Sequence, residues 1–409
     1  MNTVVHAPEL KRALTLPLVV LYGVGVTVGA GIYVLIGLTA GKAGVHAPVS
    51  FVFAAIVVAF SAASFAELAG RLPLSAGEVA YVRAGFRSPG ASLVVGLMVV
   101  LSATVSSAAI SVGAAGYILE FLSLPEAMIT AAVVVFMAAI AAYGIMESVT
   151  FAGLCTVIEV LGLLTIVAAG LYFDPRLPLR FGEVLPDLAG AGAWHGVLGA
   201  TLLAFFAFVG FEDIVNLAEE VREPKRTLPW AIFLTLGVST LIYVLVVSVS
   251  VLSVSTSELS ASRAPLGLVF NRISGYPPDA ISSIAIVATL NGVIVQIIMA
   301  SRVLYGLGKQ GAVPAVFGRV SRTTRTPVFA TFTVAGAILL LALFVPLQSL
   351  AEMTSRVVLV IFMIVNAALV ALKLRGEPAP ADAFTVGVWV PVLGSVVCAA
   401  ALASDFLLS

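Results

Sequence analysis

The stretch "GVGVTVGAGIY", Gly23 to Tyr33, places four glycines in eleven residues, inside an apolar run that extends from Thr15 to Ala40. Each glycine in a helix interior costs roughly 0.5–1 kcal/mol relative to alanine. A segment long enough to cross a bilayer is therefore weakened at its middle. Two physical readings account for this. Small residues let transmembrane helices approach one another closely. Alternatively the helix is discontinuous, and its unwound middle offers N–H and C=O groups to a ligand. Unpaired backbone groups at membrane depth are tolerated only where they line a cavity or are buried in protein.

The surrounding chain is a membrane protein by composition. Of its 409 residues 61% are hydrophobic and 10% charged, whereas soluble domains run at roughly 45–50% apolar and about 25% charged. Apolar runs of helix-spanning length occur at 15–40, 47–70, 89–122, 127–146, 148–173, 194–218, 228–253, 281–307, 327–346, 350–372 and 384–404, which makes eleven. They are apolar all round, so a β-barrel with its alternating segments is excluded. The fold class is an all-α polytopic membrane protein. The polar N-terminus "MNTVVHAPELKR" has no signal-peptide cleavage pattern, so the first run is expected to be retained. With the N-terminus in the cytoplasm, fifteen Lys and Arg fall on inner segments and six on outer ones. That asymmetry favours N-terminus inside, and eleven spans then leave the C-terminus outside.

Net charge is zero, so no strong field draws the chain to nucleic acid. Cys155 and Cys398 lie in apolar runs, and His6, His46 and His195 form no ligand cluster. No metal and no cofactor is expected.

The sixth run, "LLAFFAFVGFEDIVNLAEEVREPKRTLPWAI" from Leu202 to Ile232, passes through Gly210 directly into Glu212 and Asp213. Carboxylates at membrane depth need a polar interior. Interrupted spans one and six, five apart, are what two inverted halves of five helices produce. Hydropathy divides the single transporter domain 1–409 into a first repeat at 15–173, a second at 194–372 and an extra helix at 384–404.

The motifs "GVTVGAGIYVLIG" (25–37), "FAELAGRLPLSAGEVAYV" (65–82), "FFAFVGFEDIVNLAEEVREPKRTLPWAI" (205–232), "ASRVLYGLGKQGAVP" (300–314) and "TPVFAT" (326–331), in this order, resemble the amino acid–polyamine–organocation superfamily of transporters. The resemblance implies the leucine-transporter-like fold, with 5+5 inverted repeats and discontinuous helices 1 and 6. It implies that backbone N–H groups at Gly29, Ala30 and Gly31 hold the α-carboxylate of an amino acid. The positive end of a half-helix suits an anion there. It further implies that carbonyls of Thr27, Phe206 and Val209 hold the α-ammonium, and that Phe206 is an aromatic gate able to make a cation–π contact. Apart from the motif, Phe206 reads as one of three phenylalanines packing core or lipid.

Glu159, midway along the fifth span, is a functional candidate by its depth. Burial disfavours its charged form, which qualifies it as a proton acceptor. Some proton-coupled relatives carry a lysine here, so this acid departs from their pattern. The structural alternative is a hydrogen bond to a neighbouring helix break or a pair with Arg302. Glu212 matches a position proposed in relatives to sense protons, and Asp213 points about a third of a turn away. Sodium coupling is less supported, because "IIMASRVLY" offers Ser301 preceded by Ala300 where sodium-driven relatives have two hydroxyls.

Ser102, Thr104, Ser106, Ser107 and Ser111 in the third span read as room for a substrate side chain or as helix packing. Asn291 and Gln296 in the eighth read as cavity lining or interhelical hydrogen bonds. Glu78 stands where relatives often have a small residue. The mixed-charge run from Glu219 to Arg226 reads as a solvated end of helix six, with Pro224 and Pro229 in the turn that follows. The function expected is alternating-access transport of an amino acid, neutral for want of a fixed charge in the pocket other than Glu159 and Glu212, in a cytoplasmic membrane, with protons or exchange as the coupling. The alternative is a sensor that binds without transporting. A membrane enzyme is disfavoured, since no catalytic constellation or phosphate loop is present.

Overall fold

The computed structural model describes residues 12–74, 77–144, 149–187 and 190–408. Among these, regular structure is helical apart from one isolated parallel bridge between Leu14 and Val221. The helices are α1 (Leu16–Ala43), α2 (Ala47–Arg71), α3 (Gly77–Phe86), α4 (Pro89–Ile118), α5 (Glu126–Tyr143), α6 (Val149–Phe173), α7 (Ala191–Phe206), α8 (Pro224–Ser253), α9 (Thr256–Ala261), α10 (Pro265–Ser274), α11 (Asp279–Lys309), α12 (Val328–Phe344), α13 (Leu347–Leu374) and α14 (Trp389–Leu408). Short 3-10 segments lie at Gly44–His46, Leu177–Val184 and Phe211–Leu217.

Eight continuous apolar stretches are long enough to cross a membrane, the first being α1 and α2 run together as Leu16–Arg71, and Val328–Phe344 and Trp389–Asp405 are shorter apolar helices. Counted singly, these are the eleven expected spans. Proline at the first or second position starts α1, α2, α4, α8 and α10, where its missing N–H costs no helical bond. The Ser88 hydroxyl caps α4 by accepting from Ala91 N–H at 3.2 Å, and Gly144 ends α5 in the left-handed conformation. Phe136, Leu241 and Leu340 are exposed along the spans, and Tyr172, Trp230, Tyr276 and Trp389 are exposed near span ends. This is the aromatic belt of a bilayer-embedded helix bundle.

α1 is the central element. It packs against α6, α7, α8 and α11 and against α9 and the Phe211–Leu217 segment. Every residue from Thr27 to Gly37 is buried, which explains why the run shows no polar face.

Ion pairs gather at the two ends. At one, Glu67, fully buried, is held by Arg71 at 2.8 Å and Lys373 at 2.7 Å and accepts from Val386 N–H at 2.8 Å. Arg71 also donates to the Glu377 carbonyl at 2.9 Å, tying α2 to the segment after α13. At the other end, Glu352 pairs with Lys42 at 3.3 Å and Arg356 at 3.4 Å, and Arg356 reaches Asp405 of α14 at 2.7 Å.

Two expectations about the sixth span change. Its second half is a 3-10 segment rather than α-helix, and the chain beyond it is anchored by Leu14 N–H to Glu220 O at 3.0 Å and Arg222 N–H to Leu14 O at 2.9 Å. Pro229 lies inside α8 and not in the turn, which instead passes through Glu223 at φ 49°.

Candidate functional site

The two expected interruptions are present and meet. In α1 the break is a single residue, Gly29, at φ −35° and ψ −105°. That ψ is about 60° from the helical value, so the peptide joining Gly29 to Ala30 is tilted off the helix axis. The second break follows Phe206. The chain turns through Ala207–Gly210, with Gly210 at φ 115°, before the 3-10 segment begins. A Cβ at Gly210 would stand 2.8 Å from Val26 Cγ1 and 3.1 Å from Val26 O. Glycine is required there both by the turn and by the contact.

Gly31 is the matching contact on α1, since a Cβ there would stand 2.7 Å from Ala207 Cα. The Tyr243 hydroxyl of α8 lies 2.6 Å from both Thr27 O and Ala207 O, so its one proton is shared between the breaks. Sequence reading passed over Tyr243. The signal was a tyrosine in mid-span, whose buried O–H needs an acceptor.

Around this junction lies a small cavity of about 20 Å³. Its wall includes Thr27, Ala30, Gly31, Ser106, Ile110, Phe206, Val209, Asn291 and Gln296. Five of the six expected substrate residues are therefore together, and the sixth, Gly29, is one residue away at the break. A single water needs roughly 10–15 Å³, so the cavity as it stands holds about one water and no amino acid. A larger hollow of about 800 Å³, between the start of α8 and residues 382–384, contains none of the expected residues.

The polar groups sort themselves. Ser106 reaches the cavity, whereas Ser102, Thr104 and Ser111 bond carbonyls of their own helix and Ser107 reaches Val293 O of α11 at 3.4 Å. Two expected ammonium acceptors already take a hydrogen bond: Thr27 O from Tyr243, and Phe206 O from Val209 N–H at 3.1 Å. A carbonyl has two lone pairs, so one such bond does not by itself saturate an acceptor.

Glu159 is fully buried on α6 and stands behind the wall, outside the lining. Its Oε1 accepts from Asn291 Nδ2 at 3.3 Å, and its Oε2 has no hydrogen-bond partner among the described residues. A Cβ at Gly29 would stand 3.7 Å from that Oε2. The Tyr33 hydroxyl donates to Glu159 O at 2.7 Å and so fixes α6 against α1. Arg302 is not its partner, being exposed beside Arg325 in another hollow. Ser301 lines that same hollow and bonds Ile298 O at 2.9 Å.

Glu212 does not line the cavity either. Its Oε2 accepts from Gly210 N–H at 2.9 Å, capping the second break. Asp213 is buried, with neither carboxylate oxygen hydrogen-bonded among the described residues. Glu78 of α3, also buried, lies within electrostatic reach of both acids. No group of three or more His, Cys, Asp or Glu that could hold a metal occurs among the described residues.

The family profile described as amino acid permease matches residues 14–407. The branched-chain amino acid permease of Bacillus subtilis is 29% identical over 91% of this chain and 83% of its own length. The vacuolar cationic amino acid transporter 2 of Arabidopsis thaliana is 29% identical over 90% of this chain, which spans 61% of that longer protein. The methylthioribose transporter of Bacillus subtilis is 24% identical over 95% of this chain and 87% of its own length.

Proposed function

This chain belongs to the amino acid permease family, and we propose that it moves a neutral amino acid across the cytoplasmic membrane by alternating access, coupled to protons or to exchange. The observation that carries the reading is the junction of two broken helices around one cavity, held by the Tyr243 bridge between Thr27 O and Ala207 O. In this reading the substrate carboxylate takes the N–H groups at Gly29, Ala30 and Gly31, where the half-helix dipole favours an anion. The ammonium takes carbonyls of Thr27, Phe206 and Val209, with the Phe206 ring beside it. The halves 15–173 and 194–372 rock against one another about this site, with 384–404 outside the moving pair. Glu159 carries the coupling proton, and Glu212 holds the second break.

Neutrality of the substrate rests on the wall, which has no ionised side chain. A second charge on the ligand would enter without a counter-ion. The relatives' names cover branched-chain and cationic amino acids and methylthioribose, so specificity must come from the wall and not from the family.

The experiment is uptake of labelled amino acids into proteoliposomes, with Gly29→Ala as the site control. A Cβ at Gly29 meets only Glu159 Oε2, at ordinary contact distance, so the variant is expected to fold. It should lose at least tenfold in apparent affinity, because alanine favours continuous helix over the break at Gly29 and so withdraws the N–H groups from a ligand. Wild-type affinity in the variant would remove Gly29 from the site. Binding without uptake by the wild type would leave a sensor in place of a transporter.

A further inference from the structure

Asn291 does two things at once. It lines the cavity between the breaks, and its side-chain Nδ2 donates to Glu159 Oε1 at 3.3 Å. That is its one side-chain hydrogen bond among the described residues. The next residue, Gly292, packs on Ala30, where a Cβ would come within 2.9 Å of the alanine methyl. Asn291 is thus beside the part of the wall assigned to the substrate carboxylate, with Glu159 directly behind it.

An ionised carboxylate only accepts hydrogen bonds, whereas a protonated one also donates. With Glu159 ionised, Asn291 must turn its NH₂ toward the acid, and its Oδ1 is left for the cavity side. That acceptor is unfavourable to a carboxylate. With Glu159 protonated, the acid can donate to Oδ1. The amide then turns over about its terminal torsion, which has two broad wells, and presents NH₂ to the cavity.

We propose that Asn291 is the positioning residue that relays the protonation of Glu159 to the substrate site, so that proton and amino acid bind cooperatively, as in symport. This rests on the reading of Glu159 as the coupling acid. The polar groups facing Glu159 are Tyr33 on α1, Tyr243 on α8, Cys155 one turn away on α6, and Asn291 on α11. No Lys or Arg among the described residues pairs with it. Binding linkage is reciprocal, and couplings of this kind are typically about 5–150-fold.

The test is thermal stabilisation of purified protein by an equimolar mixture of the twenty proteinogenic L-amino acids at pH 5 and pH 8. The stabilising midpoint should be at least about fivefold lower at pH 5 in the wild type. Both Glu159→Gln and Asn291→Leu should bring the two midpoints within about twofold. If Asn291→Leu keeps the wild-type ratio while Glu159→Gln loses it, Glu159 acts directly and the relay is overturned. If Glu159→Gln keeps the ratio, the coupling assignment itself falls. Tighter binding at pH 8 would reverse the sign and overturn the proposal. Should Asn291→Leu not fold, infrared difference spectra of wild type with isotope-labelled asparagine carry the test. An asparagine amide band that changes between pH 5 and pH 8, and is silent in Glu159→Gln, is expected; its absence from the wild type overturns the relay.

Discussion

Burial pushes the Glu78 carboxyl up from 4.5 to about 7, at a position outside the membrane spans. The folded protein therefore holds this proton over a range where the unfolded chain has released it. Stability falls as pH rises from 4.5 through 7, by a total of about 3 kcal/mol at full ionisation. Glu78→Gln removes the titration and keeps the shape. Its melting temperature should exceed that of wild type at pH 8 by several degrees and match it at pH 5; an equal gain at both pH values would assign the effect to packing. The sequence marked Glu78 only as larger than its counterparts, because nothing local announces that Glu212 and Asp213 approach it from another element. The glycines of α1 were better legible. Gly23 and Gly25, expected to permit close packing, would place a Cβ 2.5 Å from Ile214 Cδ1 and 1.9 Å from Thr156 Oγ1. Gly31, assigned to the ligand from its motif, is also a packing glycine, and that contact with Ala207 depends on a residue 176 positions away. Periodicity cannot supply such pairings.

At the scale of elements, hydropathy located the spans to within a few residues because each must fill a bilayer, and length and apolarity are what the bilayer reads. The third span ends at Ile118 rather than Leu122, and α14 starts at Trp389 after a non-helical segment. The form of the breaks was less accessible. One helix is interrupted by a single peptide and the other by a turn followed by 3-10 structure, a difference set by tertiary contacts rather than by glycine content. Tyr243 is the contact that joins them. Removing its hydroxyl by Tyr243→Phe leaves two buried carbonyls to share fewer donors, which should cost about 1–3 kcal/mol of stability. If the bridge also aligns the breaks for the substrate, uptake should fall more than this stability loss predicts. Thermal unfolding and proteoliposome uptake measured on the same preparation separate the two. A variant that melts earlier yet transports at the wild-type rate would make the bridge purely structural.

Across the whole molecule, charge and topology make one argument. The segments that carry most Lys and Arg touch one another at a single end: Arg71 bonds Glu377 O, Arg375 donates to Ala84 O at 2.8 Å, and Lys225 reaches Ala381 O at 3.5 Å. Lys42 and Arg356 meet at the other end through Glu352. A bundle of eleven spans alternates ends in this way only if no odd number of spans has been missed or added between these segments. On the positive-inside bias we propose that the Arg71 and Lys225 end faces the cytoplasm. Lys225→Cys and Arg176→Cys test this, because both native side chains are exposed while Cys155 and Cys398 are buried and give little background. A membrane-impermeant maleimide added to intact cells should label Arg176→Cys alone and reach Lys225→Cys only after permeabilisation. The opposite pattern would invert the orientation. Labelling of both from outside would mean that the spans between the two sites are counted wrongly, and would reopen the assignment of the second break to the same depth as the first.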